Sequence, residues 1–154
     1  MDSGKVEYIF TAPERRAPVQ SRQQVEAIPG VGLEGDRYAA LCDQGTEKKP
    51  HNKREITLIE IENIEALESE HGLKVDPASM RRNIVSRGVD LNSLVGVEFQ
   101  VGEVRLQGMD LCEPCSYIEG QTTQGVLKAM LKKGGLRAQI LSGGIVHVGD
   151  AVTG

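Results

Sequence analysis

The sequence is poor in aromatic residues: its 154 residues include two Phe, three Tyr and no Trp. The hydrophobic core must therefore be built from Val, Ile and Leu, a composition that favours β-strands over large pockets of stacked rings. No apolar run is long enough to cross a bilayer, and the N-terminal residues lack the apolar stretch of a signal peptide. We therefore expect a cytoplasmic protein with no membrane partner.

The sequence also lacks an excess of positive charge. Its formal net charge is −4 at pH 7, so the molecule as a whole would repel a nucleic-acid backbone. The basic cluster in residues 48–54 is bracketed by Glu47 and Glu55, which is typical of a solvated loop. No nucleic-acid partner is expected.

Several familiar catalytic signatures are missing as well. The sequence has no Walker-type glycine loop, no dinucleotide-binding glycine fingerprint after a strand, and no Ser/His/Asp signature. With only three His, it offers few groups for acid–base catalysis. Three Cys, an odd number in a chain with no secretory features, indicate reduced, metal-binding or reactive thiols rather than a disulfide framework.

The residues that are present predict many short strands separated by glycine turns. Val95–Val101 alternates apolar and small or polar residues with the two-residue period of a half-buried strand, and Gly102-Glu103 predicts a hairpin turn after it. The other predicted strands are Val6–Phe10, Val19–Ile28, Ile56–Ile59, Ile84–Ser86, Val104–Leu106, Ala138–Leu141 and Ile145–Val152.

Helices are fewer. The apolar spacing predicts a helix at Glu60–Glu70 that ends at Gly72, a single turn after Asp76-Pro77, and a helix at Gln124–Lys132. Leu33–Arg54 is predicted to be a long loop, which in a compact domain is usually functional or mobile. The whole pattern predicts one domain, residues 1–154, of mainly β structure: a β-barrel with a few helices.

The strongest chemical motif is Cys112-Glu113-Pro114-Cys115. Two thiols at this spacing can share a metal, form a redox-active disulfide, or lie in a structural turn. Pro114 fixes the local backbone and so holds Cys115 in a defined direction. Cys42 and His51 would complete a nominal zinc set, but the second close-spaced ligand pair of a structural zinc site is missing.

Three further places carry charged side chains suited to anions. In Gly35-Asp36-Arg37, Arg37 can grip an anionic group that Asp36 orients, or the motif can be a local turn with a surface ion pair. In Arg81-Arg82-Asn83, two guanidiniums and an amide can hold a phosphate or remain solvated. Arg137 can turn inward for the same purpose or stay exposed.

Taken in order along the chain, these pieces resemble a MOSC domain over roughly residues 5–152. Each motif is weak by itself, whereas the ordered set is specific. The matching segments are Gly32–Arg37, Ile56–Glu60, Arg81–Val85, Arg87–Leu91, Gly96, Phe99–Gly102, Leu111–Cys115 and Gly135–Ala138.

The resemblance implies a MOSC-type barrel, which is a pyruvate-kinase-like β-barrel, with a reactive cysteine preceded by proline. That cysteine maps onto Cys115, which would be the catalytic thiol and metal ligand. In amidoxime-reducing members it ligates molybdenum, and in molybdenum cofactor sulfurase it is thought to accept or pass on sulfur; both roles require a thiolate. Because molybdopterin ends in a phosphate, the resemblance gives a cofactor-binding role to Asp36, Arg37, Arg81, Arg82, Asn83 and Arg137.

This chain differs from the larger members of the family. It has no aminotransferase-like domain, hence no pyridoxal phosphate site, and no iron–sulfur domain. A separate cysteine desulfurase or electron-donor protein would have to act with it, and Cys112 would allow a reversible disulfide with Cys115. Three hypotheses remain open: a molybdenum oxidoreductase that reduces N-hydroxylated compounds, a sulfur carrier that uses a Cys115 persulfide, and a non-catalytic binding domain.

Overall fold

The computed structural model describes residues 3–12, 19–36, 55–112 and 133–153. Within those ranges lie eleven strands, one α-helix and two 3₁₀ helices. The strands are β1 (Ser3–Thr11), β2 (Gln20–Arg22), β3 (Gln24–Ile28), β4 (Gly32–Leu33), β5 (Ile56–Glu60), β6 (Ile84–Arg87), β7 (Glu98–Val101), β8 (Val104–Leu111), β9 (Leu136–Ser142), β10 (Gly144–His147) and β11 (Ala151–Thr153). Helix α1 is Ile61–His71, and the 3₁₀ helices are Pro77–Met80 and Leu91–Leu94.

Seven strands close into a mixed barrel in the order β1, β6, β5, β9, β8, β7, β11. Strand β1 closes the ring because it pairs with β11 through Ser3–Lys5 and with β6 through Lys5–Ile9. The β5–β6 pair is parallel, and the other pairs in the ring are antiparallel. Strand β2 extends the ring at β1, and β10, β3 and β4 form a small separate sheet. The predicted mainly β barrel is confirmed.

Aliphatic side chains fill the interior of the barrel, as the shortage of aromatics predicts. The β7–β8 hairpin shows the pattern: Phe99, Val101, Val104 and Leu106 are buried, and their neighbours in sequence face outward. Val101 pairs with Val104 across the predicted Gly102-Glu103 turn. This packing makes the barrel a filled scaffold, so a ligand site belongs at one of its ends or on its outer face.

Helix α1 covers the outside of the barrel beside β5 and β6. Its apolar residues Ile61, Ile64 and Leu67 pack into a second hydrophobic cluster with residues of those strands. The helix ends at Gly72, whose left-handed backbone (φ 67°) lets its N–H donate to Glu68 O. The predicted helix is confirmed with bounds shifted by one residue. Within the described ranges, no helix combines the length and apolar character needed to span a bilayer.

Three predicted strands differ from the structure. Val95–Val101 is a strand only from Glu98, because the Leu91–Leu94 turn packs against β8 so closely that a side chain at Gly108 would strike Leu94 O. Val95 and Val97 are consequently exposed. The predicted Ile145–Val152 strand is two strands in different sheets, separated by a turn at Gly149 (φ 94°). The predicted Val19–Ile28 strand likewise divides at residue 23 into β2 and β3, and the predicted helix Gln124–Lys132 lies outside the described residues.

Candidate functional site

The predicted site residues that the structure describes lie at or beside the starts and ends of strands. They come from the turn after β4, the start of β6, the start of β9 and the end of β8. These residues are Asp36, Arg81, Arg82, Asn83, Cys112 and Arg137. Arg37 and Cys115, like the zinc candidates Cys42 and His51, lie outside the described residues, so their predicted roles stay predictions.

Four polar side chains form a row across neighbouring strands of the barrel. Arg137 on β9 is in register with Asp110 on β8 and with Thr57 on β5. Its Nη1 lies 3.0 Å from Asp110 Oδ2. On the next strand, the start of β6, Asn83 Oδ1 accepts hydrogen bonds from Thr57 N at 3.0 Å and Thr57 Oγ1 at 3.1 Å. We call Asp110, Arg137, Thr57 and Asn83 the polar row.

Asn83 is buried and bonded on every side. Its Nδ2 donates to Phe10 O at 3.1 Å, and its backbone N donates to Thr57 Oγ1 at 3.1 Å. Its own carbonyl accepts from Phe10 N at 2.7 Å. One side chain therefore joins β1, β5 and the start of β6, which fixes the position of the residue before it, Arg82.

Arg82 connects the start of β6 to the glycine turn that precedes β9. Its Nε donates to Gly134 O at 2.8 Å. The next residue, Gly135, accepts a 2.7 Å hydrogen bond from Cys112 N at the end of β8. Cys112 itself is only 2% exposed. Arg82, the glycine turn and Cys112 thus lie side by side, and the chain leaves the described residues at Cys112 and returns at Lys133.

Asp36 is a buried carboxylate, 2% exposed, rather than part of a surface turn. Its Oδ1 accepts a 2.9 Å hydrogen bond from Ala12 N, just past the end of β1. Gly35 makes the approach feasible, since its φ of 81° places it in the left-handed region. Asp36 therefore joins the turn after β4 to the same end of β1 that Asn83 holds.

Arg81 has an unusual backbone. Among the described residues it is the one non-glycine with a positive φ, 59°, and it ends the 3₁₀ helix Pro77–Met80. The left-handed conformation costs roughly 1–2 kcal/mol for a residue with a Cβ. Strained residues of this kind cluster at functional sites, which agrees with the cofactor-binding role that the resemblance gives Arg81.

Glu55 is a buried structural carboxylate, whereas the sequence pattern indicates only that it ends a charged loop. It is 3% exposed, and its Oε1 accepts from Gly30 N at 2.8 Å and from Ile140 N at 3.3 Å. Burial raises the pKa of Glu55 and outweighs these two hydrogen bonds, which lower it. Its position immediately before the mostly apolar strand β5 was the available signal, because a residue there is drawn into the barrel wall.

The described residues alone offer no ready-made metal site. Within these ranges, no group of three or more His, Cys, Asp or Glu is placed to hold a metal ion. What these residues do offer is two guanidinium groups, those of Arg82 and Arg137, beside a glycine turn. Such groups bind phosphate and carboxylate oxygens through paired N–H donors.

The comparisons with known proteins agree with this architecture. The family model described as "MOSC domain" matches residues 45–153. The structure resembles the YUAD protein from Bacillus subtilis, with a TM-score of 0.79 and 19% identity, covering 99% of this chain and 97% of that one. It also resembles YiiM from Geobacillus stearothermophilus, with a TM-score of 0.73 and 13% identity over 97% of this chain and 74% of that one.

YiiM from Escherichia coli is a further similar structure, with a TM-score of 0.67 and 17% identity over 99% of this chain and 69% of that one. At these identities the likeness concerns the fold alone. No curated protein sequence matches this chain at a significant level.

Proposed function

The chain belongs to the MOSC domain family, and from this premise we propose that it binds a molybdenum cofactor beside the polar row. In this proposal Cys115 is the metal ligand, and the protein is an oxidoreductase, or the cofactor-binding part of one, that reduces N-hydroxylated compounds. The observation that carries the proposal is that Arg82 bonds to the glycine turn before β9, that the same turn accepts from Cys112, and that Arg137 lies two residues after it.

Chain length supports a position for Cys115 near these residues. Cys115 follows Cys112 by three residues, and three residues span at most about 11 Å. Cys112 is held by Gly135, which adjoins the Gly134 carbonyl bonded by Arg82. In this proposal the Cys115 thiol lies beside a guanidinium that favours the thiolate, which is the form that binds a soft metal or attacks sulfur.

The arginines beside the polar row fit the cofactor's phosphate. The molecule as a whole is acidic, with a net charge of −4, whereas Arg81 and Arg82 adjoin the start of β6 and Arg137 lies at the start of β9. Arg137 keeps 25% of its side chain exposed, so its guanidinium can be reached by an anion even while it contacts Asp110. Arg81, Arg82 and Arg137 would hold the phosphate, and Asn83 would keep the Arg81–Arg82 segment in place.

The bound molybdenum centre would supply the two-electron redox chemistry. The chain's own part is to bind and orient: the arginines neutralise the phosphate, the Cys115 thiolate ligates, and the buried Asp36 fixes the start of the segment that contains Arg37. In this proposal the electrons come from a separate donor protein.

Sulfur transfer is the second candidate function, since the same thiolate can carry a persulfide received from a cysteine desulfurase. Cys112 is buried, so a resolving role for it requires movement at the end of β8. In a third candidate, a non-catalytic binding domain, both thiols are structural.

Intact mass spectrometry with elemental analysis of freshly purified protein distinguishes the three. Retained molybdenum and pterin that are lost in Cys115→Ser support the oxidoreductase. A one-sulfur mass increase after incubation with a desulfurase, lost in the same variant, supports the sulfur carrier. Neither change, together with poor alkylation of Cys115, supports the binding domain and overturns our proposal.

A further inference from the structure

Thr11, the last residue of β1, has a buried hydroxyl that makes no hydrogen bond. The residue is 0% exposed, and its Oγ1 has no hydrogen-bond partner. A buried hydroxyl without a partner is destabilising, because it loses its bonds to water and gains none in return. Native proteins rarely tolerate such a group unless it meets a water, an ion or a ligand.

Both neighbours of Thr11 are held by candidate site residues. Phe10 exchanges hydrogen bonds with Asn83, and Ala12 N donates to Asp36 Oδ1. The backbone of Thr11 therefore sits between two fixed points, and its hydroxyl has little freedom to seek another partner within the protein. This rigidity preorganises the group.

The strand alternation sets the side on which the Thr11 side chain lies. Ile9 packs in the barrel interior, whereas Phe10 packs in the outer cluster with α1. Because successive side chains alternate, Thr11 shares the interior face with Ile9. Its hydroxyl is thus at the inner rim of the barrel end, on the opposite face of β1 from the outer cluster.

We propose that the Thr11 hydroxyl is a hydrogen-bonding contact for a polar group of the ligand bound beside the polar row, on the side of Asn83, made directly or through one ordered water that the ligand holds. The inference rests on the proposed function for the identity of the ligand, a phosphate-bearing pterin cofactor. It adds a contact from β1 that neither the thiol motif nor the arginines suggest.

The test compares Thr11→Val with Thr11→Ser. Valine has nearly the shape of threonine but no hydroxyl, and serine keeps the hydroxyl but loses the methyl group. Each protein is purified from cells that cannot make the molybdenum cofactor and from cells that can. Thermal unfolding is measured on the first preparation, and molybdenum and pterin content on the second.

The two readouts should move in opposite directions for Thr11→Val. Removing an unpartnered buried hydroxyl should raise the unfolding midpoint of the cofactor-free protein by about 2–4 °C, and losing a ligand contact should lower cofactor retention by about tenfold. Thr11→Ser should retain cofactor like the wild type and unfold at a lower temperature.

A purely structural threonine gives the contrary pattern: Thr11→Val unfolds at a lower temperature and retains cofactor normally. That result, or wild-type retention in a stabilised Thr11→Val, overturns the inference and leaves the proposed function standing. If the wild type itself retains neither molybdenum nor pterin, the proposed function fails and the inference fails with it.

Discussion

Asn83 and Thr57 form a closed pair across parallel strands. Asn83 Oδ1 accepts from both Thr57 N and Thr57 Oγ1, and Thr57 Oγ1 accepts in turn from Asn83 N. Both side chains are buried. The pair holds the start of β6 against β5, and with it the two arginines that precede Asn83.

Replacing Asn83 by Ala should therefore unfold the protein more easily. The change leaves Phe10 O and Thr57 N buried without their partners, and each such loss costs about 1–3 kcal/mol. Asn83→Asp is the matched control: it keeps the acceptor for Thr57 and loses only the Nδ2 donor to Phe10 O. In denaturant unfolding at low pH, the wild type should be the most stable protein and Asn83→Ala the least stable, with Asn83→Asp between them. Equal stability of all three proteins would contradict the role of the pair.

Glu55 should make stability depend on pH. Burial raises the pKa of Glu55 above 4.5 in the folded protein, so folding binds a proton between 4.5 and the raised value. The stability that this proton contributes is fully present below pH 4.5 and is lost as pH rises through the folded-state pKa. Glu55→Gln removes the titration and keeps an oxygen for Gly30 N and Ile140 N.

The difference in unfolding free energy between Glu55→Gln and wild type should consequently shift in favour of the variant as pH rises from 4 to 7. Glu26→Gln, an exposed residue of β3, serves as the control. If the difference in unfolding free energy between Glu55→Gln and wild type is the same at pH 4 and pH 7, burial does not raise the pKa of Glu55.

We expect Arg81 to destabilise the fold through its backbone conformation and to contribute to cofactor binding through its guanidinium. Glycine adopts the φ of 59° without strain, so Arg81→Gly should be more stable than Arg81→Ala by about 1 kcal/mol. Both variants lack the guanidinium, so both should lose cofactor retention if Arg81 contacts the phosphate. Equal retention in wild type and both variants would remove Arg81 from the site.

Asp110 should restrain Arg137 in the cofactor-free protein. Asp110 is largely exposed, so breaking its ion pair with Arg137 should change stability by less than about 1 kcal/mol. Asp110→Asn removes a negative charge beside the proposed phosphate site and should strengthen cofactor retention, whereas Arg137→Gln should weaken it. Molybdenum content per protein measures both; a parallel change in the two variants would contradict this arrangement.

Local patterns in the sequence predict much of the fold. The Gly72 stop and the Gly102-Glu103 hairpin are present in the structure because each depends on neighbouring residues, and the aliphatic core follows from the shortage of aromatic residues. The splitting of residues 145–152 between two sheets was not predictable in this way. The split depends on distant strands: β10 pairs with β3, whereas β11 pairs with β7. The apolar alternation of the sequence is the same whether the segment forms one strand or two.

The sequence names the candidate site residues but not their contacts. Those contacts depend on partners far along the chain. Asn83 bonds to Thr57 and Phe10, and Asp36 bonds to Ala12, 24 positions away. Nothing in the sequence predicts a role for Thr11, because threonine is common at the end of a strand. Only the structure shows that its hydroxyl is buried without a hydrogen-bond partner.

The molybdenum-to-protein ratio of freshly purified protein, measured in wild type beside Cys115→Ser and Cys112→Ser, tests the central claim most directly. We predict a ratio approaching one in the wild type, its loss in Cys115→Ser, and its retention in a folded Cys112→Ser. A wild-type protein from cofactor-producing cells that carries no molybdenum, or a Cys115→Ser variant that keeps it, would contradict the account.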